Sequence, residues 1–169
     1  MSRTLFKVLP LDAQHDRSQF LSGCDALDTY LKTRATQEIR RRVTACFVAL
    51  DPERRIAGYY TLASASIRLS DLPTLIGKKL PRYPSVPAVR MGRLVVDRQC
   101  RQRGLGAALL ADGLNRSIRA EIAAFAMLVD AKDEGAAAFY RHHGFITLSD
   151  TPLTLFLPLA TAQRLIATD

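Results

Sequence analysis

The sequence predicts a mixed α/β fold, and three observations carry that prediction. Segments rich in β-branched and aromatic residues alternate with segments whose apolar positions recur at helical spacing. One strand hands over directly to a helix through a short glycine-containing turn between Val96 and Leu105. A chain of 169 residues suffices for one full hydrophobic core and is short for two, so a single domain over 1–169 is expected.

The elements follow in order. Thr4 to Leu9 reads as a short strand, and Ser22-Gly23-Cys24-Asp25 offers capping side chains to a helix that buries the stripe Leu27, Tyr30, Leu31, Ala35 and Ile39 and ends in Arg40-Arg41-Arg42. Val43–Leu50 and Ile56–Ile67 are β-rich and flank Asp51-Pro52, a turn signal, so they predict a hairpin. Prolines 73, 81, 84 and 87 cannot continue a central strand, which predicts a short helix and a surface loop between Ser70 and Pro87. Ala88–Val96 reads as a strand, Asp97–Arg103 as a polar turn, and Gly104–Ala124 as a helix with Leu105, Leu109, Leu110, Leu114 and Ile118 along one stripe. Ala126–Val129 is a buried strand. Asp133–His142 is a helix stopped by Gly144, and Ile146–Leu148 with Thr154–Leu157 supply the last strands.

Composition narrows the class. Apolar residues make up 48% and charged residues 24%, close to ordinary globular usage, which argues against disordered, collagen-like and disulfide-scaffold chains. With 24 Lys+Arg against 16 Asp+Glu the net charge is +8, which favours a polyanionic partner, either nucleic acid or a phosphate-rich cofactor. Cys24, Cys46 and Cys100 form no CxxC pair, so no metal site is expected and a reducing cytoplasm is. The apolar run Ile122–Val129 is far short of the ~20 residues that span a bilayer, so no membrane association is expected.

The chemistry-bearing stretch is Arg101-Gln102-Arg103-Gly104-Leu105-Gly106-Ala107. Glycine lets backbone N–H groups approach an anion, the helix N-terminus carries partial positive charge, and arginines add two-pronged phosphate contacts. It is neither a P-loop nor a dinucleotide fingerprint, because Gly-Lys-Ser/Thr and the GxGxxG spacing are both missing. Alone it is equally a glycine-tolerant turn with solvated arginines. Downstream, Asp133-Glu134-Gly135-Ala136-Ala137-Ala138-Phe139-Tyr140-Arg141-His142-His143-Gly144-Phe145 resembles the N-x-x-A-x-x-F-Y-x-x-x-G-F segment of the GNAT acetyltransferase superfamily, and Arg101–Ala107 resembles that family's R/Q-x-x-G-x-G/A motif. Asp133 departs from the usual Asn. The chain looks nearest to toxin acetyltransferases of toxin–antitoxin pairs, through Phe20–Leu31, Gly58–Leu62, Val86-Pro87, Gly92–Asp97, Val129–Asp133 and Leu155–Pro158.

The resemblance implies a central mixed, mostly antiparallel sheet flanked by helices, with acetyl-CoA as cofactor. Its pyrophosphate would lie on Arg101, Arg103, Gly104, Leu105, Gly106 and Ala107, its pantetheine arm along Leu94, Val95 and Val96, with Asp133 and Phe139 as further contacts. Tyr140 would be the general acid for the departing thiolate; a phenol near 10 against a thiol near 8.5 makes that transfer uphill by about 1.5 units, or ~2 kcal/mol. Without the family match, Tyr140 reads as a core aromatic beside Phe139. The strand Ala88–Val96 has no carboxylate. An amine that needs little base catalysis is therefore expected, and an α-amino ester fits better than lysine.

The resembled toxins N-acetylate aminoacyl-tRNA and arrest translation, which would also account for the +8 charge. Arg40, Arg41, Arg42, Arg90 and Arg93, with Lys78 and Lys79 weaker, are the tRNA contacts expected; the bland reading of Arg40–Arg42 is a solvated helix end. Arg93 interrupts an otherwise apolar strand, and its charge needs a partner, RNA phosphate or an internal carboxylate. The resemblance further implies a homodimer and a ribbon-helix-helix antitoxin, with DNA reached only through that antitoxin and repression of their shared operon. Two other readings stand beside this one: an acetyltransferase of small amines or protein N-termini, and a basic RNA- or partner-binding domain without catalysis. His142 and His143 are read as surface residues, and Cys46 as core.

Overall fold

Alternating apolar positions from Ala45 onward build the first part of the sheet in a computed structural model that describes residues 6–167. Strand β1 (Lys7–Pro10) pairs antiparallel with β2 (Ala45–Leu50), and β2 pairs antiparallel with β3 (Ile56–Arg68). Thr4 and Leu5 of the expected first strand lie outside the described residues. The hairpin turn closes as its sequence predicts: Asp51 Oδ1 accepts from the Arg55 N–H at 2.8 Å, and Arg54 takes the left-handed conformation at φ +65°. Strand β4 (Ser85–Val96) starts three residues before its sequence reading, with Pro87 inside it. Pro87 stands just ahead of the β4–β5 ladder, which begins at Ala88, so that ladder misses no N–H, and its carbonyl accepts from Phe125 N at 2.8 Å.

Strand β5 (Ala126–Asp130) lies parallel to β4, β7 (Thr151–Pro158) antiparallel to β5, and β6 (Ile146–Leu148) antiparallel to β7. The seven strands run in the order β1-β2-β3-β4-β5-β7-β6, the mixed, mostly antiparallel sheet expected. The β4–β5 ladder pairs Ala88 with Ala126 and ends at Met91 with Val129, whereas β4 continues for five more residues, Gly92 to Val96.

The helices depart from the sequence reading in four places. The expected single helix after Gly23 is two, α1 (Asp25–Thr33) and α2 (Ala35–Arg40), separated at Arg34 (φ −117°, ψ −31°). The stripe Leu27, Tyr30, Leu31, Ala35 and Ile39 is nevertheless the buried or packed face. Capping also differs: Cys24 is the N-cap and its side chain accepts nothing, because Ser22 is drawn instead to Asp28. After the short α3 (Thr74–Gly77), helix α4 spans Leu105–Arg119 and ends five residues early, since Phe125 N is committed to Pro87 O and the chain must leave the helix to enter β5. Helix α5 spans Glu134–His142, closed by Gly144 at φ +94° as predicted. The C-terminal α6 (Leu159–Ala167) is absent from the sequence reading, although Leu159 and Ala162 give it a buried side.

The chain divides into two compact units: residues up to 63 with 92–113, and 64–91 with everything from 114 on. The first has a core of Phe20, Tyr30, Leu31, Val48, Tyr59 and Val95 among others. The second centres on Ile67, Val86, Ala126, Leu128 and Phe156. Among the described residues no helix is long and apolar enough to cross a membrane.

Gly58 on β3 lets α4 come close in the first unit. A Cβ there would lie 2.9 Å from Leu109 Cδ1 and 2.9 Å from the Val95 carbonyl oxygen. The carbonyl is backbone and cannot give way, so Gly58→Ala is expected to cost about 1–3 kcal/mol. Urea unfolding should show this as a lowered midpoint with unchanged m-value.

The candidate active site

In the first unit, β4 delivers the chain into a turn fixed by one carboxylate. Asp97 Oδ1 accepts from Gln99 N at 2.9 Å and Oδ2 from Leu21 N at 3.0 Å, while Asp97 N donates to Ala57 O at 2.8 Å. Arg98 N donates to Leu21 O at 2.9 Å. The segment before α1 is thus stitched to the turn before α4. Ser22, Asp28 and Arg101 continue the stitching: buried Asp28 accepts from Ser22 N and from Ser22 Oγ at 2.6 Å, and Arg101 Nη2 donates to the Ser22 carbonyl oxygen. Arg101, expected on a phosphate, is therefore partly committed to holding this turn.

Beyond Arg101 the chain is exposed through Gly104, and Leu105, 2% exposed, anchors the first turn of α4. Gly104 has φ +77°, and a Cβ there would meet nothing within 4 Å. Its glycine answers the backbone conformation and not a lack of room. Ala108 N is bonded to Gly104 O at 3.0 Å, so the N–H groups of Leu105, Gly106 and Ala107 are the first-turn donors, which have no acceptor within their helix. Arg103 is exposed and makes no hydrogen bond or ion pair among the described residues. It also borders an open cavity of about 820 Å³ with Asp16, Asp51, Glu53, Asp97, Arg55 and Arg98. Carboxylates interleave with guanidiniums there, which makes that cavity a poor phosphate site compared with the start of α4.

Arg93 stands two residues before Val95 on β4, half-buried, with Cζ 3.5 Å from the centroid of the Tyr30 ring. Among the described residues no internal carboxylate pairs with it; its neighbour is an aromatic face. Tyr30 sits 63 positions away in a helical core stripe, so no local signal links the two. Burial, with the hydrogen bond to Glu38, pushes the Tyr30 phenol up to about 12, and Tyr59 behind it is raised as well.

In the second unit, Asp133 caps α5, its Oδ1 accepting from Ala136 N at 2.8 Å, so this carboxylate is committed to the helix start. Phe139 is half-buried and meets the Tyr140 ring edge-on at 5.3 Å and His143 at 4.8 Å. His143 is therefore half-buried, unlike the surface residue expected; burial and His142 lower its pKa. Tyr140 is 7% exposed, packed between Phe139 and Phe145, yet its hydroxyl makes no hydrogen bond among the described residues. Burial pushes that phenol up to about 12.

Both units supply residues expected to meet RNA. Arg40, Arg41 and Arg42 are exposed at the end of α2 in the first unit. Lys78 and Lys79 are exposed after α3 in the second, where Arg90 forms an ion pair with Asp130, whose other oxygen accepts from Thr154. Cys46 is buried and its thiol is pushed up to about 12 by burial.

The acetyltransferase (GNAT) domain family matches residues 21–153. The chain belongs to that family. A "tRNA-acetylating toxin" of Mycobacterium tuberculosis is 37% identical over 153 residues, 89% of this chain and 90% of its own length. A "probable toxin TacT" of Sinorhizobium fredii is 30% identical over 170 residues, 94% of each chain. Among solved structures, AtaT in complex with acetyl-methionyl-tRNAfMet superposes with TM-score 0.88 at 31% identity, covering 95% of this chain and 99% of that one. AtaTR bound with acetyl-CoA gives 0.82 at 30% identity, covering 95% and 98%.

A GNAT enzyme uses acetyl-CoA, and the residues present fit it. The free first-turn amides of α4, the left-handed Gly104 and the unpaired Arg103 suit a pyrophosphate, while β4 past Met91 offers extended backbone to an amide-bearing arm. One consequence concerns pH. A phenol held neutral in the folded state and free to ionise in the unfolded state costs stability as pH rises from about 10 to about 12. Absorbance at 295 nm should show part of the tyrosine signal appearing only above pH 11, together with loss of the folded far-UV spectrum.

Proposed function

We propose that this chain, a single acetyltransferase domain over 1–169, is the toxin of a toxin–antitoxin pair that transfers acetyl from acetyl-CoA to the α-amino group of aminoacyl-tRNA and so stops translation. The observation that carries the reading is the exposed anion cradle at the start of α4 in the same unit as the exposed arginines 40–42, in a family whose related members are named as tRNA-acetylating. The antitoxin, ribbon-helix-helix in type, would bring the pair to DNA and to repression of its operon. A homodimer acting in the cytoplasm completes the reading.

Bound acetyl-CoA supplies an activated acetyl thioester. Arg103 and the amides of Leu105–Ala107 hold its phosphates, Leu94–Val96 hold its arm by backbone pairing, and an amide of that segment polarises the thioester carbonyl. Asp133 caps, through Oδ1, the helix that carries Phe139 and Tyr140, and would meet the cofactor through its other oxygen. Tyr140 presents its hydroxyl proton to sulfur. At about 12 its phenol lies some 3.5 units above an ordinary thiol near 8.5, so full transfer to a solvated thiolate would cost ~5 kcal/mol. The proton therefore moves as the C–S bond breaks, where dry surroundings raise the thiolate's own basicity too. The strand carries no carboxylate base, which suits an α-amino ester and not lysine.

Radiolabelled acetyl-CoA incubated with a mixed aminoacyl-tRNA pool, beside deacylated tRNA, a polyamine and a lysine peptide, tests this. Label should enter charged tRNA alone; label in polyamine or peptide alone would refute the tRNA reading. Tyr140→Phe should leave acetyl-CoA affinity within about twofold and lower kcat by about 10² or more. Unchanged turnover would remove Tyr140 from the chemistry. Replacing Arg40, Arg41 and Arg42 by Gln should lower the salt slope of tRNA binding by about two to three, measured by filter binding between 50 and 200 mM salt.

A further inference from the structure

The guanidinium of Arg93 is held on an aromatic face. Its face lies on Tyr30, 3.5 Å from the centroid, and Tyr30 is fixed in turn: its hydroxyl donates to Glu38 Oε1 at 2.8 Å and its ring stacks on Tyr59 at 6.3 Å and 18°. Tyr59 is tethered by its hydroxyl to Leu27 O at 2.6 Å. The titratable and charged groups around it are Tyr30 on α1, Glu38 on α2, Cys46 on β2 and Tyr59 on β3, with Arg17 and Asp28 beyond. Glu38 is taken by Tyr30, Asp28 by Ser22, and Arg17 Nη1 by Leu31 O. Among the described residues Arg93 makes no hydrogen bond and no ion pair. The guanidinium is only half-buried, and its N–H donors reach solvent, so they are available to an incoming acceptor.

Its place on the strand says which ligand. Arg93 and Val95 point to the same side of β4, and Val95 packs in the core cluster that contains Tyr30. The guanidinium therefore flanks the segment that, on the reaction proposed above, holds the acetyl arm, and the strand itself carries no carboxylate to deprotonate an incoming amine.

Resting on that reading, we infer that Arg93 receives the ester carbonyl oxygen of the aminoacyl group on its N–H edge and, by its fixed charge, keeps the adjacent α-amine in the free-base form in place of a general base. The ester carbonyl is common to every aminoacyl ester, sits one carbon from the amine, and is missing from deacylated tRNA. A like charge within ~6 Å favours the neutral amine by about a unit or more, and hydrogen bonding to the carbonyl withdraws electrons in the same direction. The ammonium proton leaves to water, the amine nitrogen then bonds to the thioester carbon, the C–S bond breaks as sulfur takes the Tyr140 proton, and the proton shed by the acylated nitrogen restores the phenol through water. With the Tyr30 phenol held up to about 12, its ring remains a neutral platform at every working pH.

The test compares wild type, Arg93→Lys and Arg93→Gln. The acid limb of kcat, which reports the bound amine, should move up by about one pH unit in Arg93→Gln and stay near the wild-type position in Arg93→Lys, while the limb of kcat/KM stays put. In binding, affinity for N-acetyl-aminoacyl-tRNA should fall about tenfold in Arg93→Gln and that for deacylated tRNA should not change, with acetyl-CoA affinity by calorimetry certifying the fold. An unmoved kcat limb, or equal loss of affinity for acylated and deacylated tRNA, overturns the inference and makes Arg93 a phosphate contact while the proposed reaction stands. Absence of wild-type transfer to charged tRNA overturns both.

Discussion

Everything proposed for this molecule depends on where one ladder of hydrogen bonds stops. Strand β4 pairs in parallel with β5 only as far as Met91 and Val129, then runs on alone of that partner to Val96 and into the turn before α4. Buried backbone must find partners, and an extended segment past the end of a ladder suits a ligand that carries amides of its own. The same turn ends in the uncapped amides of α4, so one continuous stretch of chain offers first peptide pairing and then an anion site. Asp97, bonded on both oxygens, keeps those two parts in fixed relation within the first unit.

Charge in this fold is placed by what is left unpaired. Of the basic residues singled out, Arg90 is neutralised by Asp130 and Arg101 is tied to Ser22, whereas Arg40–Arg42, Lys78, Lys79 and Arg103 face solvent. Those six solvent-facing cations are placed to meet phosphates. Tyr140 shows the same division for a neutral group: its ring is sealed among Phe139 and Phe145, and its hydroxyl is left over. Burial keeps it protonated, which preserves the donor and makes concerted transfer the workable route.

The strands, the α4 and α5 stripes and the Gly104 and Gly144 turns were legible because each is set by residues within one or two turns of chain. The glycine at 104 was legible as a site, but its reason was not: φ, and not clearance, decides it. What stayed hidden involves partners far apart in sequence. Nothing local pairs Arg93 with Tyr30, Arg90 with Asp130 or Arg101 with Ser22, and the true end of α4 is set by a hydrogen bond between Phe125 and Pro87. The break at Arg34 and the helix α6 were missed for a different reason, since helical spacing continues through the first and no Ser, Thr, Asp or Asn stands directly before Leu159 to mark the start of the second.

Amide hydrogen exchange with and without acetyl-CoA tests the central claim most directly, because it reads the backbone groups themselves. Acetyl-CoA is expected to slow exchange at Leu94–Val96 and at Leu105–Ala107 together, with little change in the Asp51–Arg55 hairpin that borders the mixed-charge cavity. Protection confined to that hairpin and its cavity, with the end of β4 and the start of α4 unaffected, would contradict it.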